Sequence, residues 1–350
     1  MKEFLSKIEV IIAIALAVGA IAFFALDSLG VFDPADSDKH GIREFIDKAP
    51  PEATARIAEI EKHLATGVDI DAPLAGGLTL LMEAANQDAA EVLAFLLERG
   101  ADPNVTQSRS DHPDASRSSA LGHAMWGQDA VMIELLLKHG AKTDFTYGRD
   151  GWKNAPLNAA VFSGKIELVE LLLKYDADVN LRLPDVAQTP LLMAIDYSSI
   201  EIIELLLDRG ADLNIGGPSS PSRLPLTAAV RNRGLPTIKL LLNHGADVNL
   251  SHALHTAVRW ATDDVVEYLV QVQGVKLDHI PTTGLRAPLK GNAPLHLAAM
   301  KGRIKAAKML LGRGANPVLE NNYGMTPIDI ATQHGHTEIV NLLEDASPES

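Results

Sequence analysis

The sequence contains no cysteine. This absence excludes disulfide bonds, thiolate zinc sites, iron–sulfur clusters, cysteine nucleophiles and lipid attachment to an N-terminal cysteine. It does not identify the redox compartment, because a protein without cysteine is equally stable in oxidising and reducing surroundings.

Aromatic residues are also scarce, at 5% of the 350 residues, although hydrophobic residues reach 47% and charged residues 22%. Leucine and alanine must therefore fill most of the core. Such side chains favour closely packed helices over a β-sandwich, where β-branched and aromatic residues are enriched. The balance also excludes a disordered acidic chain and a polytopic membrane protein.

The familiar catalytic motifs are missing as well: the sequence has no Gly-x-Ser-x-Gly elbow, His-Glu-x-x-His pair, phosphate-binding loop or dinucleotide-binding glycines. We therefore expect a non-enzymatic protein with no cofactor, no bound metal and no small-molecule substrate. Spacing alone would allow a metal pair at His252 and His255, or at His334 and His336, and hence a metal-dependent enzyme. We favour ordinary turn and capping hydrogen bonds for these histidines.

Positive charge is in short supply, since 31 lysines and arginines face 45 acidic residues and the net charge is −14. An acidic surface repels phosphate backbones, so we expect no nucleic-acid partner. The stretch between Asp278 and Glu320 is the exception, because it has seven cations and no acidic residue. Among these cations, Arg286, Lys290 and Lys301 are candidates for binding an acidic partner or anionic lipid; neutralisation by carboxylates of adjacent segments is the equal alternative.

One long apolar run, Val10 to Leu26, has no charged or strongly polar side chain over 17 residues. This length lies at the short end of what spans a bilayer. Lys2 and Lys7 precede the run, and acidic residues follow it before the next cation, Lys39. Because lysine and arginine favour the cytoplasmic side, the pattern predicts a single-pass inner-membrane protein with its remainder in the periplasm.

A cleaved signal peptide is the main alternative, since small residues at Ala20 and Ala22 could form a cleavage site, although Phe23 and Phe24 continue the apolar run. In that case the mature protein is soluble in the periplasm. The predicted organisation is a cytoplasmic tail (1–9), a transmembrane anchor (10–26), an acidic spacer (27–41), a repeat domain (42–345) and a C-terminal tail (346–350).

Two short motifs recur along the rest of the chain. One is a Gly-x-Asp/Asn type of ending that follows an apolar helix, at anchors spaced 33, 40, 36, 34, 35, 29 and 40 residues apart. A glycine at this place supplies the left-handed C-terminal cap of a helix. The anchors of this ending are Gly67, Gly100, Gly140, Asp176, Gly210, Gly245, Gly274 and Gly314.

The second motif has the form Thr/Ala-Pro-Leu-x-x-Ala, as in Thr189-Pro-Leu-Leu-Met-Ala and Ala293-Pro-Leu-His-Leu-Ala. Threonine caps a helix N-terminus, and proline is tolerated in the first turn, where the missing N–H has no intrahelical partner. The alanines keep this first helix thin enough to pack against the second.

A period near 33 residues with these motifs resembles the ankyrin repeat. The resemblance covers roughly Ile42 to Asp345 in eight units, preceded by the second half of a degenerate N-terminal cap at Arg56 to Asp71. It implies an all-α solenoid of about nine helix–turn–helix units joined by hairpin-like loops, here called fingers. Because a single repeat cannot bury its apolar face, stability should come from stacking.

Leucines of the second helices are expected to lie in the stacked core. Leu171, Leu172, Leu205 and Leu206 belong to two such helices. If Leu205 is fully buried, its truncation to alanine should cost roughly 2–5 kcal/mol.

In the ankyrin family, the two residues after each Ala-Ala position lie at the end of the first helix, on the concave groove. Four aromatics occupy 16 such positions, where chance would place fewer than one: Trp126, Phe162, Tyr197 and Trp260. The third tryptophan, Trp152, falls in an enlarged finger. Aromatic residues dominate binding hot spots, so we expect these five residues to contact a partner protein, with groove filling as the alternative.

The insertions relative to a 33-residue period lie in Val105–Ser118, Thr146–Asn154 and His279–Asn292. In repeat arrays such insertions map to loops on one face, often the binding face.

The overall plan, one export segment before ankyrin repeats, is similar to that of bacterial periplasmic ankyrin proteins. The resemblance implies a membrane-anchored scaffold for an unidentified protein partner. Some of those proteins accompany catalases, which implies a link to peroxide protection. An immunity protein that occludes a toxin delivered into the periplasm is the alternative.

Overall fold

A computed structural model provides the structure of the chain. It describes residues 51–74, 77–106, 119–149, 152–182, 188–214, 224–232, 234–281 and 291–347. The apolar run of residues 10–26 and the spacer of residues 27–41 lie outside the described residues. Among the helices described, none has both the length and the apolar character needed to cross a bilayer.

The described residues form short helices and one β-hairpin. A single helix, α1 (Pro51–Leu64), precedes eight helix pairs. The pairs are α2 (Leu80–Asn86) and α3 (Ala90–Glu98); α4 (Ala120–Gly127) and α5 (Ala130–Lys138); α6 (Pro156–Ser163) and α7 (Ile166–Lys174); α8 (Pro190–Tyr197) and α9 (Ile200–Asp208); α10 (Pro225–Asn232) and α11 (Leu235–Asn243); α12 (Ala253–Trp260) and α13 (Asp263–Leu269); α14 (Pro294–Lys301) and α15 (Ile304–Gly312); α16 (Pro327–Gln333) and α17 (Thr337–Ala346). The even-numbered members are the first helices of their repeats and the odd-numbered members the second.

The first helices begin as the sequence predicts. The hydroxyl groups of Thr79, Ser119, Thr189 and Thr326 each accept a hydrogen bond from the backbone N–H three residues later, at distances of 3.1–3.3 Å. Such a side chain satisfies a backbone donor that the helix itself leaves unpaired.

Left-handed residues end the second helices. Glycine fills this position in most repeats, with φ of +83° at Gly140, for example. In the repeat that ends with α7, Asp176 takes this place with φ of +58°. The left-handed region is strained for an L-residue, so a glycine at this position would be less strained than the aspartate.

The chain divides into two compact units, Met1–Pro156 and Leu157–Ser350. In the first unit, α2 packs on α4, and α3 packs between α1 and α5. The core of this unit is made of leucine, isoleucine and methionine side chains that are removed from solvent, including Leu93, Leu96, Met132, Ile133 and Leu136.

In the second unit, the first helices α8, α10, α12, α14 and α16 pack on one another in succession. The second helices α13, α15 and α17 do the same. Each first helix from α8 to α16 also packs on the second helix of its own repeat. Stacked helix pairs with a shared core are the arrangement that an ankyrin array requires.

The buried residues of α9 form one stripe along the helix, and Leu205, which the sequence places in the core, does not belong to it. Leu206 is 0% exposed and Leu172 of α7 is likewise buried, whereas Leu205 and Leu171 are only partly buried. Ile202, like Leu206, lies in this stripe, with a spacing of four residues. Leu205 lies beside the stripe, so the full burial assumed for its truncation is not met.

Asparagine side chains join the turns of successive repeats. In each case the amide nitrogen donates to the carbonyl of the next helix-ending glycine, and the amide oxygen accepts from the backbone N–H two residues after that glycine. These contacts measure 2.8–3.2 Å and involve Asn104 with Gly140 and Lys142, Asn180 with Gly210 and Asp212, and Asn249 with Gly274 and Lys276.

The enlarged finger at residues 146–154 contains the hairpin. Strand β1 (Tyr147–Arg149) pairs antiparallel with β2 (Trp152–Asn154), and Arg149 lies opposite Trp152. Most of the other two insertions, residues 107–118 and 282–290, lies outside the described residues.

Candidate functional site

The ends of the first helices carry large exposed rings. Trp126, Tyr197 and Trp260 are 63%, 61% and 62% exposed, and Phe162 is 46% exposed. Each ring is at or near the last residue of its helix, on α4, α6, α8 and α12 respectively. The adjoining helix residues Val161 and Ile195 are 0% exposed, so the backbone behind the rings of Phe162 and Tyr197 is fixed by the core.

Phe162 and Tyr197 form one contiguous aromatic patch. Their ring centroids are 5.4 Å apart at an interplanar angle of 68°, an edge-to-face arrangement. The turn behind Tyr197 is held to the preceding repeat because the hydroxyl of Ser198 donates to the carbonyl of Val161. This patch exposes apolar surface that a partner could cover at little conformational cost.

Arg259 and Trp260 form a second feature, at the end of α12. The Arg259 guanidinium carbon lies 4.6 Å from the centroid of the Trp260 ring. The Nη1 atom of Arg259 is shielded from solvent and has no hydrogen-bond partner among the described residues. A charged donor in this state gains free energy from any acceptor that reaches it.

The other predicted binding residues are placed only in part. Lys301 is exposed at the end of α14. The backbone of Trp152 lies in β2, but its side chain is outside what the structure describes. Arg286 and Lys290 lie outside the described residues, so their roles remain predictions.

Two cations of the basic stretch share one carboxylate of the fold. Arg303 donates from Nη1 to the carbonyls of Ala257 and Val258, at 3.0 and 2.9 Å, and its Nη2 pairs with Asp263. Lys305 lies 4.0 Å from the other carboxylate oxygen of Asp263. Arg303 therefore joins two repeats, as the alternative interpretation of the basic stretch expects, whereas the Lys305 side chain remains 80% exposed.

The histidine of the Pro-Leu-His motif, His296, has structural partners. His296 receives the backbone N–H of Ala293 at Nδ1, and its Nε2 lies 2.9 and 3.2 Å from the carbonyls of Leu319 and Met325 in the next finger. Burial lowers the pKa of His296. A neutral ring can therefore link two repeats without charge.

His252, His255 and His279 form a cluster that the sequence did not predict as a trio. The rings of His252 and His279 stack with centroids 5.2 Å apart, and His255 lies edge-on 5.7 and 5.9 Å from them. Burial, followed by the charge of His279, lowers the pKa of His252 to about 4. Burial is also the main cause that lowers the pKa of His255 to about 3. The cluster is thus neutral near pH 7.

Three of the four histidines considered for metal binding have a backbone carbonyl near a ring nitrogen, whereas the buried Nδ1 of His252 has no hydrogen-bond partner among the described residues. His255 Nε2 lies 2.8 Å from the His279 carbonyl, His334 Nδ1 lies 2.9 Å from the Ile330 carbonyl, and His336 Nε2 lies 3.4 Å from the Met300 carbonyl. Within the described ranges, no group of three or more histidine, aspartate or glutamate side chains is placed to hold a metal ion.

Two features of the site were not foreseen. His279 comes from the start of an insertion, and only the fold brings it to His252. The unpaired Nη1 of Arg259 depends on what surrounds the guanidinium, which no sequence motif encodes.

The chain matches two models of one protein family. The family model described as "Ankyrin repeats (3 copies)" matches residues 81–183, 123–217 and 254–349, and the model "Ankyrin repeat" matches residues 223–253. Together these matches cover more than half of the chain and confirm the resemblance drawn from the repeat motifs.

Individual relatives share shorter segments. An ankyrin repeat protein of Rickettsia bellii is 36% identical over 125 residues, which are 36% of this chain and 35% of the relative. The human ARF GTPase-activating protein GIT2 is 45% identical over 56 residues, 16% of this chain and 7% of its own length. The human transient receptor potential cation channel subfamily A member 1 is 47% identical over 53 residues, 15% of this chain and 5% of its own. The chain thus spans about a third or less of these relatives.

Proposed function

The chain belongs to the ankyrin-repeat family, and from that premise we propose that it is a non-enzymatic scaffold that binds a protein partner at its first-helix ends. Ankyrin arrays are generally binding scaffolds, and a family membership of this kind supports protein–protein interaction in general terms. Family membership does not identify the partner, so its chemistry must be inferred from the residues at the site.

The observation that carries the proposal is the exposure of large rings among the last two residues of the first helix in four repeats. Trp126, Phe162, Tyr197 and Trp260 remain 46–63% exposed, although each adjoins a packed helix. Exposed aromatic residues that recur at the same end of four first helices favour an interface over chance, because isolated exposed apolar residues are otherwise scattered.

Site-specific photocrosslinking tests this proposal. Replacing Tyr197 or Trp260 by the photoreactive residue p-benzoylphenylalanine preserves an aromatic ring at each site. Irradiation of cells, followed by mass spectrometry of the crosslinked species, should identify the same protein partner from both positions. Tyr323 is the matched control, because it is 63% exposed but lies in a turn before α16 rather than at the end of a first helix. Equal crosslinking from all three sites, or none from the first two, would argue against the proposal.

We further propose that residues 10–26 anchor the chain in the inner membrane with the repeats in the periplasm. The support is the apolar run itself, with cations before it and acidic residues after it. Alkaline phosphatase fused after Ser350 should then be active. An inactive phosphatase together with a fluorescent cytoplasmic reporter at the same place would refute the topology. Release of a shortened soluble form would instead support signal cleavage.

Peroxide protection is the role that the likeness to periplasmic ankyrin proteins supports, and toxin immunity is the alternative. The two proposals differ in phenotype. If the protein protects against peroxide, a deletion strain should become sensitive to hydrogen peroxide. If it is an immunity protein, the deletion strain should tolerate peroxide normally but become sensitive to the cognate toxin.

A further inference from the structure

Three consecutive first helices of the second unit carry a cation among their last two residues. Arg231 of α10 and Arg259 of α12 occupy the penultimate position, and Lys301 is the last residue of α14. Because α10 packs on α12 and α12 packs on α14, the three side chains follow one another along the stack. We call them the cationic row.

The cationic row is not neutralised by the described part of the fold. None of its members forms an ion pair with a described residue, in contrast to Arg303 and Lys305, which share Asp263. Asp196, the penultimate residue of α8, accepts a hydrogen bond of 3.0 Å from the side chain of Asn232. Within the part of the chain that the structure describes, the row is therefore a positive strip without ion-pair partners, on a protein of net charge −14.

Arg259 adds an observation that points to an anionic ligand. Its Nη1 atom is out of contact with solvent and lacks a hydrogen-bond partner among the described residues, while the guanidinium lies over Trp260. A carboxylate that draws the guanidinium outward would supply acceptors in a bidentate geometry, for which arginine is suited. The ring of Trp260 would remain beside the ion pair and contact an apolar part of the ligand.

The spacing of the row selects the form of the ligand. Neighbouring packed helices lie about 8–10 Å apart. An extended polyproline II segment rises about 3.1 Å per residue with about three residues per turn, so every third side chain returns to the same face after about 9 Å. Carboxylates at every third residue of such an extended segment would therefore reach successive members of the row.

We propose that Arg231, Arg259 and Lys301 bind an extended acidic segment of the partner protein that carries a carboxylate at about every third residue. This inference rests on the proposed scaffold function and adds the chemistry of the partner. Nucleic acid and anionic lipid share the negative charge but not the peptide spacing, so they are treated as outcomes of the test.

Fluorescence polarisation with defined peptides and the full chain in detergent tests the proposal. Three labelled peptides of about 13 residues are compared: one with glutamate at every third position, one with glutamine in place of each glutamate, and one with the same glutamates placed consecutively. The spaced glutamate peptide should bind, and its affinity should fall as salt is raised. The glutamine peptide should bind at least about tenfold more weakly, as expected for the loss of hydrogen bonds to charged groups.

Variants of the chain locate the effect. Arg259→Gln should weaken binding of the spaced peptide roughly tenfold to hundredfold, the range for one hydrogen-bonded charge pair. Lys308→Gln is the matched control, because Lys308 is an exposed cation on the second helix α15 and should change affinity by less than about twofold at moderate salt. Thermal melting of both variants must match the unsubstituted chain, and Arg259→Lys should restore part of the affinity.

Several results would overturn the inference. Equal binding of the glutamate and glutamine peptides, or equal loss in Arg259→Gln and Lys308→Gln, would remove the cationic row as a carboxylate site. Phosphatidylglycerol vesicles or a labelled oligonucleotide whose binding depends on Arg259, without binding of the spaced peptide, would assign the row to phosphate groups. Crosslinks from Tyr197 and Trp260 that form without any acidic-peptide binding would leave the scaffold function standing and reject only the acidic segment.

Discussion

Truncation of Leu206 in α9 tests the packing on which the whole array depends. Leu206 is 0% exposed and belongs to the buried stripe of its helix, next to a partly buried Leu205. Replacing Leu206 by alanine removes three buried carbon atoms, which is worth about 2.4 kcal/mol at about 0.8 kcal/mol each. The cavity that remains raises the expected cost to about 2–5 kcal/mol.

Leu205→Ala is the matched control, because it makes the same chemical change one residue away at a partly exposed site. Its cost should be clearly smaller, at about 1–2 kcal/mol. Urea unfolding followed by circular dichroism measures the free energy of unfolding of both variants. Because neighbouring repeats are coupled, the transition of Leu206→Ala should be broader and should occur at a lower urea concentration. A cost below about 0.5 kcal/mol for Leu206→Ala, or equal costs for the two variants, would refute the assigned stripe.

Three further predictions follow from individual residues. Because the pKa values of His252 and His255 are lowered to about 4 and about 3, the unfolded chain takes up protons first as the pH falls below the ordinary value of 6.5. The urea midpoint should therefore fall between pH 6.5 and pH 4, and His252→Gln should flatten this dependence; an unchanged slope would contradict the neutral cluster. Asn158 is buried, and its amide atoms have no hydrogen-bond partner among the described residues, although it occupies the position from which His296 reaches the next finger. Asn158→His should raise the free energy of unfolding by about 1–3 kcal/mol in urea titration, and a loss would show that this finger offers no acceptor. Asp176→Gly should raise the melting temperature by relieving a left-handed L-residue, with a gain of about 0.5–1 kcal/mol, whereas a lower melting temperature would mean that the Asp176 side chain stabilises the turn.

Local motifs made most of the repeat architecture predictable. The Thr189 hydroxyl and Pro190 define the start of a first helix by capping and by the missing N–H, and both effects act within one turn. Glycines such as Gly140 end the second helices because they adopt positive φ without strain. Such signals act within one repeat, so the sequence alone is sufficient to reveal them.

Contacts between repeats were less predictable. Three consecutive leucines precede Asp208, the last residue of α9, and only the neighbouring helices determine that Leu206 rather than Leu205 is fully buried. The stacking of His279 on His252 joins two fingers at a sequence distance that no motif fixes. For the candidate site, the aromatic positions followed from the repeat register, but the unpaired Nη1 of Arg259 required coordinates.

The most direct test of the central claim measures partner affinity and melting temperature on the same preparations of Trp260→Ala. Once photocrosslinking has identified the partner, its affinity should weaken by roughly 1–4 kcal/mol, in the range of interface hot spots, while the melting temperature stays unchanged. Tyr323→Ala, which removes an equally exposed ring outside the first-helix ends, should leave the affinity unaltered. A lower melting temperature of Trp260→Ala with undiminished affinity would contradict the account, because the ring would then stabilise the fold rather than bind the partner.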